Sequence, residues 1–344
     1  MDLKAILNSS LKSRKSLYAV VAIAVLAILP LFIKSEYIVG HVLTAMIIFA
    51  IYASSWNLLA YSGQGSLGHA AFLGIGGFAS ALIAIKAGLH PIVGLVLGSL
   101  LSAGIGFLIG LACVRLKAWF LAMVTFGFSV IAVTIVSQFD AFFGGMIGFA
   151  TPTIVQQVVP FYYATLAIAT LSIVTIFFVM KSKSGLAFKA VRENELESKM
   201  IGIDAGKYRL VAFVISTFFA GLAGGLYAES IQFIQISIFE PYYSFLPLIM
   251  SVIGGLGTME GPIIGSIIIV SIDSFFPLAD KFLQPLSPLF PGVTNVGPPL
   301  RLMGLGLFLI LVVIFLPKGI TSLLHKTFDF FREDTSKGKT DAKT

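Results

Sequence analysis

From Ile38 to Met180 the chain runs 143 residues with four charged side chains, Lys86, Arg115, Lys117 and Asp140. A charge at the centre of a bilayer costs roughly 2.5–3.5 kcal/mol on insertion scales, so a run this poor in charge is suited to lipid. The whole chain is 57% hydrophobic and 11% charged, with a mean hydropathy of +0.98. Soluble domains carry about 25% charged residues. The apolar runs are continuous and do not alternate with polar residues, which excludes a membrane β-barrel and predicts an all-α, polytopic bundle of membrane helices. The 34 glycines suit helices packed backbone to backbone.

Apolar runs predict ten spans, at 17–33, 39–60, 68–86, 91–113, 118–137, 161–180, 208–228, 244–257, 262–276 and 300–316. Those at 244–257 and 262–276 are short for a bilayer that takes roughly 20 helical residues, so some spans are expected to be short or broken. With residues 1–16 as a cytoplasmic segment, the membrane domain covers 17–320, a cytoplasmic loop covers 181–207, and 321–344 form a polar cytoplasmic tail. The basic residues support this topology. Arg115 and Lys117, the 181–207 loop, and Lys318 to Lys343 all fall on the side of the N-terminus, as the positive-inside rule requires. Reading 244–276 as one span would put the tail outside. The first span is retained, since Leu17 to Ile33 has membrane length and no small-residue cleavage site follows it. Outside loops are expected at Phe139–Pro160 and Phe276–Pro299. The second is rich in proline (Pro277, Pro285, Pro288, Pro291, Pro298, Pro299) and is expected to be structured without being helical.

Several classes drop out. One cysteine, Cys113, excludes an internal disulfide and a cysteine metal cluster. The net charge of +7 gathers at membrane flanks and gives no nucleic-acid signal. No phosphate-binding loop, HExxH metal site or GxSxG elbow occurs, so the chain is expected neither to hydrolyse ATP nor to act as a hydrolase, and to hold no cofactor of its own.

Three segments stand out. Ser62-Gly-Gln-Gly-Ser-Leu-Gly-His69 matches GxGxxG formally, but no acidic residue lies between Glu36 and Asp140 to serve a dinucleotide. It reads either as a glycine break lining a substrate path, with Gly63, Gln64, Ser66 and Gly68 on the path, or as a tight turn at the membrane surface. His69 reads first as a hydrogen-bonded structural residue and second as a member of the same path. A second break, Gly254-Gly-Leu-Gly-Thr-Met-Glu-Gly261, interrupts the later half, with Gly254, Gly255 and Gly257 as path candidates. Spacings such as Gly221…Gly225 serve helix packing. Among the acids, Asp140, Glu229, Glu240 and Asp280 lie near outer ends, whereas Glu260 and Asp273 sit further in. No dense acidic cluster supports ion coupling.

The third segment, Lys181 to Arg209, holds 11 of the 39 charged residues. Leu186 to Ile201 reads as one amphipathic helix stopped by Gly202, with Glu195 and Lys199 as a favourable i,i+4 pair. It is either a solvated loop or a coupling helix for a cytoplasmic partner.

At these motifs the chain resembles the LivM family, permease subunits of branched-chain amino acid ABC importers. The likeness is carried by Asn57 to Gly77, Lys189-Ala-Val-Arg-Glu-Asn-Glu195, Gly202-Ile-Asp, Ala220 to Ala228, Gly254-Gly-Leu-Gly-Thr, Gly261-Pro-Ile-Ile-Gly265 and Leu316-Pro-Lys-Gly-Ile320. The resemblance implies a permease of a prokaryotic inner membrane with both termini cytoplasmic. It implies a LivH-like second permease, two cytoplasmic ATPases that hold the ATP, and an extracytoplasmic binding protein. Arg192, Glu193, Asn194, Glu195 and Gly202 would form the ATPase contact. Gly144-Gly-Met-Ile-Gly148 and Glu260 depart from the family pattern. The cargo is expected to be leucine, isoleucine or valine, with urea, amides or aromatic acids as alternatives. The rival of another class is an ion-coupled secondary carrier, and a passive channel is the third.

Overall fold

The computed structural model describes residues 21, 23–33, 35–113, 116, 118–283, 297–316 and 319–322. The 1–16 segment, the start of the first run, Arg115, Lys117, Lys318, Pro285 to Pro291 and nearly all of the 321–344 tail lie outside them. Each expected apolar run falls on a helix. The first four are α1 (Ile23–Phe32), α2 (Ile38–Tyr61), α3 (His69–Lys86) and α4 (Pro91–Cys113). Then come α5 (Ala118–Gln138), the short α6 (Asp140–Phe143), β1 (Phe149–Ala150) and α7 (Val158–Lys181). The charged island holds α8 (Lys183–Glu193) and α9 (Glu195–Met200), and α10 (Ala205–Ile231) and β2 (Phe233–Ile234) follow. The chain continues as α11 (Pro241–Gly254), α12 (Gly261–Leu283) and α13 (Gly297–Phe315).

Among the described residues six helices, α2 to α5, α7 and α10, are long and apolar enough to cross a membrane. Ten complete crossings are not established. The 14 residues of α11 rise only ~21 Å against a hydrocarbon core of ~30 Å.

Two expectations need correction. The island is not one helix from Leu186 to Ile201. Asn194, at φ −156° and ψ 110°, interrupts it. Its side-chain oxygen accepts from the Leu196 and Glu197 amides at 3.0 and 3.3 Å, so it ends α8 and caps α9. The Phe276–Pro299 stretch is also more helical than its prolines suggest. The α12 helix runs on through Pro277 to Leu283, as membrane helices tolerate when neighbours satisfy the freed carbonyl. Pro298 and Pro299 sit in the first turn of α13, where amides lack helical partners anyway.

Packing sorts the helices into an inside and an outside. Along α2, Thr44 and Ile47 to Ala60 are buried without interruption. By contrast α5 and α7 expose large apolar side chains such as Trp119, Met123, Leu171 and Phe178, as lipid-facing or partner-facing helices do. Small residues bring α3, α4 and α10 into backbone contact. A Cβ at Gly76 would collide with the Gly221 backbone, and one at Gly98 would lie 2.8 Å from the Gly76 carbonyl oxygen. The Ser102 hydroxyl of α4 sits between the Phe72 carbonyl of α3 (3.1 Å) and the Thr217 carbonyl of α10 (2.9 Å).

Between α10 and α11 the backbone is irregular, with Ile234, Ile238 and Phe239 buried and Gln232, Phe233, Gln235 and Glu240 exposed. β2 pairs antiparallel with β1, Phe149 opposite Ile234. Thr151 N–H donates to the Gln232 carbonyl (3.0 Å), and Ser129 Oγ of α5 donates to the Phe239 carbonyl (3.0 Å). The 3₁₀ turn Ile236–Phe239 closes the segment, and Phe239 stacks on Phe78 of α3 at 5.6 Å. The Gln232 and Phe239 carbonyls, outside any α-helix, thus find protein partners.

Candidate functional site

The two glycine breaks meet at one end of the bundle, and the charged island meets them there. Asn57, in the last turn of α2, is buried. Its Nδ2 donates to the Thr258 carbonyl at 2.7 Å, and its Oδ1 accepts from Gly257 N–H at 2.8 Å. A single amide therefore ties the first break to the second across the fold.

Gly63 and Gly257 turn with φ of +79° and +75°, a backbone region that side chains disfavour. Both turns face Arg192. A Cβ on Gly63 would lie 3.1 Å from Arg192 Cα, and one on Gly257 would lie 2.8 Å from Arg192 Nη1. Gly255 has φ +129° and packs against Gly319 of the Leu316–Ile320 motif so tightly that a Cβ on Gly319 would collide with the Gly255 backbone. Gly254 is equally close to Gly261.

The other residues of the first break face protein partners. Gln64 Nε2 donates to Ser62 Oγ and to the Arg209 carbonyl in the first turns of α10, both at 2.9 Å. Gly68 lies against the α5 backbone at Thr125, where a Cβ would collide. The Ser66 carbonyl accepts from Trp56 Nε1 at 2.8 Å, while its buried hydroxyl has no partner. His69 is fully buried, with Nε2 3.0 Å from Ser55 Oγ. Ser55 gives its one proton to the Tyr52 carbonyl at 2.7 Å, so it accepts from His69 and the Nε2–H tautomer follows. That leaves Nδ1 as a buried acceptor without a partner.

The island is held as a platform beneath these turns. Phe188 and Val191 of α8 are buried, while Arg192, Glu193 and Asn194 are exposed. Glu193 pairs with Lys189 at 3.7 Å. Glu195 accepts from Lys199 at 2.7 Å and pairs with Arg209 Nη2 of α10 at 2.9 Å, which fixes α9 to α10. The Lys199 hydrogen bond, followed by the Arg209 charge, holds the Glu195 carboxyl below its ordinary 4.5. Gly202, at φ +85°, lets the chain turn after α9 into the Asp204 cap of α10.

The contacts of Asn57 with the second break and of Arg209 with Gln64 carried no sequence signal that paired them. A cleft of about 350 Å³ between α2, α10, α11 and α12, containing Asp273 and several tyrosines, went equally unread.

The profile of the family described as branched-chain amino acid transport system / permease component matches residues 38–315. The high-affinity branched-chain amino acid transport system permease protein LivM of Escherichia coli (strain K12) is 29% identical over 299 residues, 78% of this chain and 69% of that one. The protein of the same name from Salmonella typhimurium is 28% identical over the same shares. The probable branched-chain amino acid transport permease protein LivH of Methanocaldococcus jannaschii is 33% identical over 115 residues, 31% of this chain and 34% of that one. Glycine breaks, island and family profile fall on the same stretch of sequence, and the chain belongs to the branched-chain amino acid transport system permease family.

Proposed function

We propose that this chain is one membrane subunit of an ATP-driven importer that moves branched-chain amino acids inward. The family match over 38–315 carries the reading. A LivH-like permease completes the pathway, two ATPases dock from the cytoplasm, and an extracytoplasmic binding protein supplies cargo. The membrane is a prokaryotic inner membrane, with both termini in the cytoplasm. The chain itself performs no hydrolysis; ATP stays on the ATPases.

The geometry supports a route for coupling. The exposed α8–α9 platform offers Arg192, Glu193 and Asn194 to an ATPase groove. Arg192 touches both glycine turns, so a tilt of α8 reaches the first and second breaks together. Gly63, Gln64, Ser66, Gly68, His69, Gly254, Gly255 and Gly257 act in this reading as the moving joint at the cytoplasmic mouth of the path. Most of their polar groups are occupied by protein partners.

The test is reconstitution of the four kinds of subunit in vesicles, followed by leucine uptake and ATP hydrolysis. Wild type is expected to take up leucine only with ATP and binding protein present. The Arg192→Ala/Glu193→Ala double variant is expected to lose at least tenfold in cargo-stimulated hydrolysis while still reaching the membrane. Unchanged stimulation removes the coupling role. Uptake by this chain alone, driven by an ion gradient, removes the importer reading. ATP-driven uptake of urea, an amide or an aromatic acid in place of leucine keeps the machine and changes the cargo.

A further inference from the structure

A groove of about 440 Å³ runs between α1 and α7, walled by Ile23 on one side and by Tyr163, Ala167, Thr170, Leu171 and Val174 on the other. Its hydroxyl groups are occupied within the fold. Tyr163 OH donates to the Ala27 carbonyl at 2.9 Å, and Thr170 Oγ1 to the Leu166 carbonyl at 2.7 Å, so the groove presents an apolar surface. Tyr162 OH donates to the Leu26 carbonyl at 2.8 Å, and the two tyrosines together hold α1 against α7.

One end of this surface is marked by charge. The exposed residues Leu171, Val174, Phe178 and Lys181 follow one another at intervals of three and four, so they form one stripe along α7. Leu171 and Lys181 are ten residues apart, ~15 Å of helix, which is the thickness of one leaflet in a hydrocarbon core of ~30 Å. The stripe is apolar until its last residue and then turns basic. From Lys181 to Lys189 the chain carries three lysines and no acid. Lys181 Nζ lies over the Phe177 ring at 4.0 Å, which keeps the ammonium at the foot of the stripe. Lys183 is exposed one turn into the elbow, and among the described residues neither lysine forms an ion pair. Leu186, on the outer face of α8, is exposed beside them. A lysine at the membrane surface attracts anionic headgroups by about 1 kcal/mol. An apolar groove that ends in two lysines is complementary to a molecule with an acyl tail and a negative head, and this charge favours an anionic lipid over a zwitterionic one.

We propose that the α1–α7 groove and the stripe below it bind an anionic phospholipid, with the acyl tail along Phe178, Val174 and Leu171 and the headgroup phosphate at Lys181 and Lys183. Ser182 separates these lysines and joins α7 directly to α8, whose far end carries Arg192. A headgroup held at this elbow therefore steadies the joint on which α8 tilts. The lipid site needs only a membrane around α7. Its effect on hydrolysis rests on the importer reading.

The experiment equilibrates the assembled importer with equal amounts of phosphatidylglycerol and phosphatidylcholine, washes it in detergent, and measures the retained lipids by mass spectrometry. Wild type is expected to retain phosphatidylglycerol in preference. The Lys181→Gln/Lys183→Gln double variant is expected to lose at least fivefold of it, whereas Lys181→Arg/Lys183→Arg keeps it. Ala167→Phe, which fills the groove and leaves both lysines, is expected to lose as much as the glutamine variant. If the glutamine variant fails to assemble, Ala167→Phe and the lipid preference decide. Equal retention of the two lipids by wild type, or retention unchanged in Ala167→Phe, overturns the site. So does displacement of phosphatidylglycerol by excess inorganic phosphate at constant ionic strength, since a free phosphate shares the headgroup chemistry. Cargo-stimulated ATP hydrolysis in vesicles separates the two readings. It is expected to rise several-fold when phosphatidylglycerol is added to phosphatidylcholine, in wild type and not in the glutamine variant. Hydrolysis that ignores the lipid overturns the effect on α8, whereas no stimulated hydrolysis by wild type in either lipid overturns the importer and leaves the retention result standing.

Discussion

Gly63 and Gly257 have similar backbone angles and share Arg192 as a neighbour, yet they should not tolerate substitution equally. An alanine at Gly257 meets the far tip of a flexible arginine, which can swing aside, leaving mainly the left-handed backbone penalty of roughly 1–2 kcal/mol. An alanine at Gly63 meets Arg192 Cα and Cβ at 3.1 and 3.2 Å, so α8 itself must shift. Gly63→Ala is therefore expected to depress cargo-stimulated ATP hydrolysis several-fold more than Gly257→Ala, at comparable thermal stability. Equal loss in both would show that backbone strain, and not the position of α8, governs coupling. Asn57→Leu removes both bonds to the second break, each worth about 0.5–1.5 kcal/mol net, since the Gly257 amide and Thr258 carbonyl are only partly buried. A lowered melting temperature in detergent measures it. The glycines were visible in sequence because a break needs them. Their meeting with Asn57 and Arg192 was not, because the contacts span much of the chain.

At the scale of elements, the platform is two helices joined by a cap. Asn194→Ala should cost about 1 kcal/mol of local stability and raise amide exchange over Glu195 to Met200, with little effect in α8. Exchange that rises equally in both would mean that α8 and α9 unfold as one. Acid should loosen the same element. Because the folded Glu195 carboxyl is held below 4.5, its stabilising contribution is present above that value and is lost as pH falls through the depressed one. Half-exposed pairs of this kind are worth about 0.2–1 kcal/mol, so the effect should be confined to α9 and weakened by salt. Exchange measured across an acid series with and without added salt checks both points. Charge density located this platform from sequence. Its break did not show, because Asn194 lies within an otherwise regular amphipathic pattern and capping depends on backbone angles that pattern does not encode.

For the molecule as a whole, the seam of small residues divides what can move from what cannot. With the backbones of α3, α4 and α10 in contact at Gly76, Gly98 and Gly221, these helices have no side-chain layer to slide on. Spin labels on α3 and α10 are expected to keep their separation through an ATP cycle, while labels on α11 or α12 change distance to α3. Gly221→Leu should abolish folded yield, whereas Leu171→Ala, on an exposed face of α7, should be neutral. A broadening α3–α10 distance during turnover would argue against a rigid seam. Hydropathy and glycine content made the bundle legible. The irregular segment before α11 stayed hidden, because Gln232 to Glu240 reads as an ordinary loop and its strand pairing depends on distant partners.

That segment has a consequence for how the protein is made. A helix satisfies its own backbone as it forms, whereas the strand and turn of Gln232 to Glu240 draw on distant partners. Beyond its own 3₁₀ turn, its carbonyls and strand are bonded to β1, Thr151 and Ser129, all earlier in the chain than α7. The path into α11 is therefore settled only when a late segment finds an early one. The loop from Gly148 to Thr151 is thus the earlier half of a pairing whose later half is made only after α10.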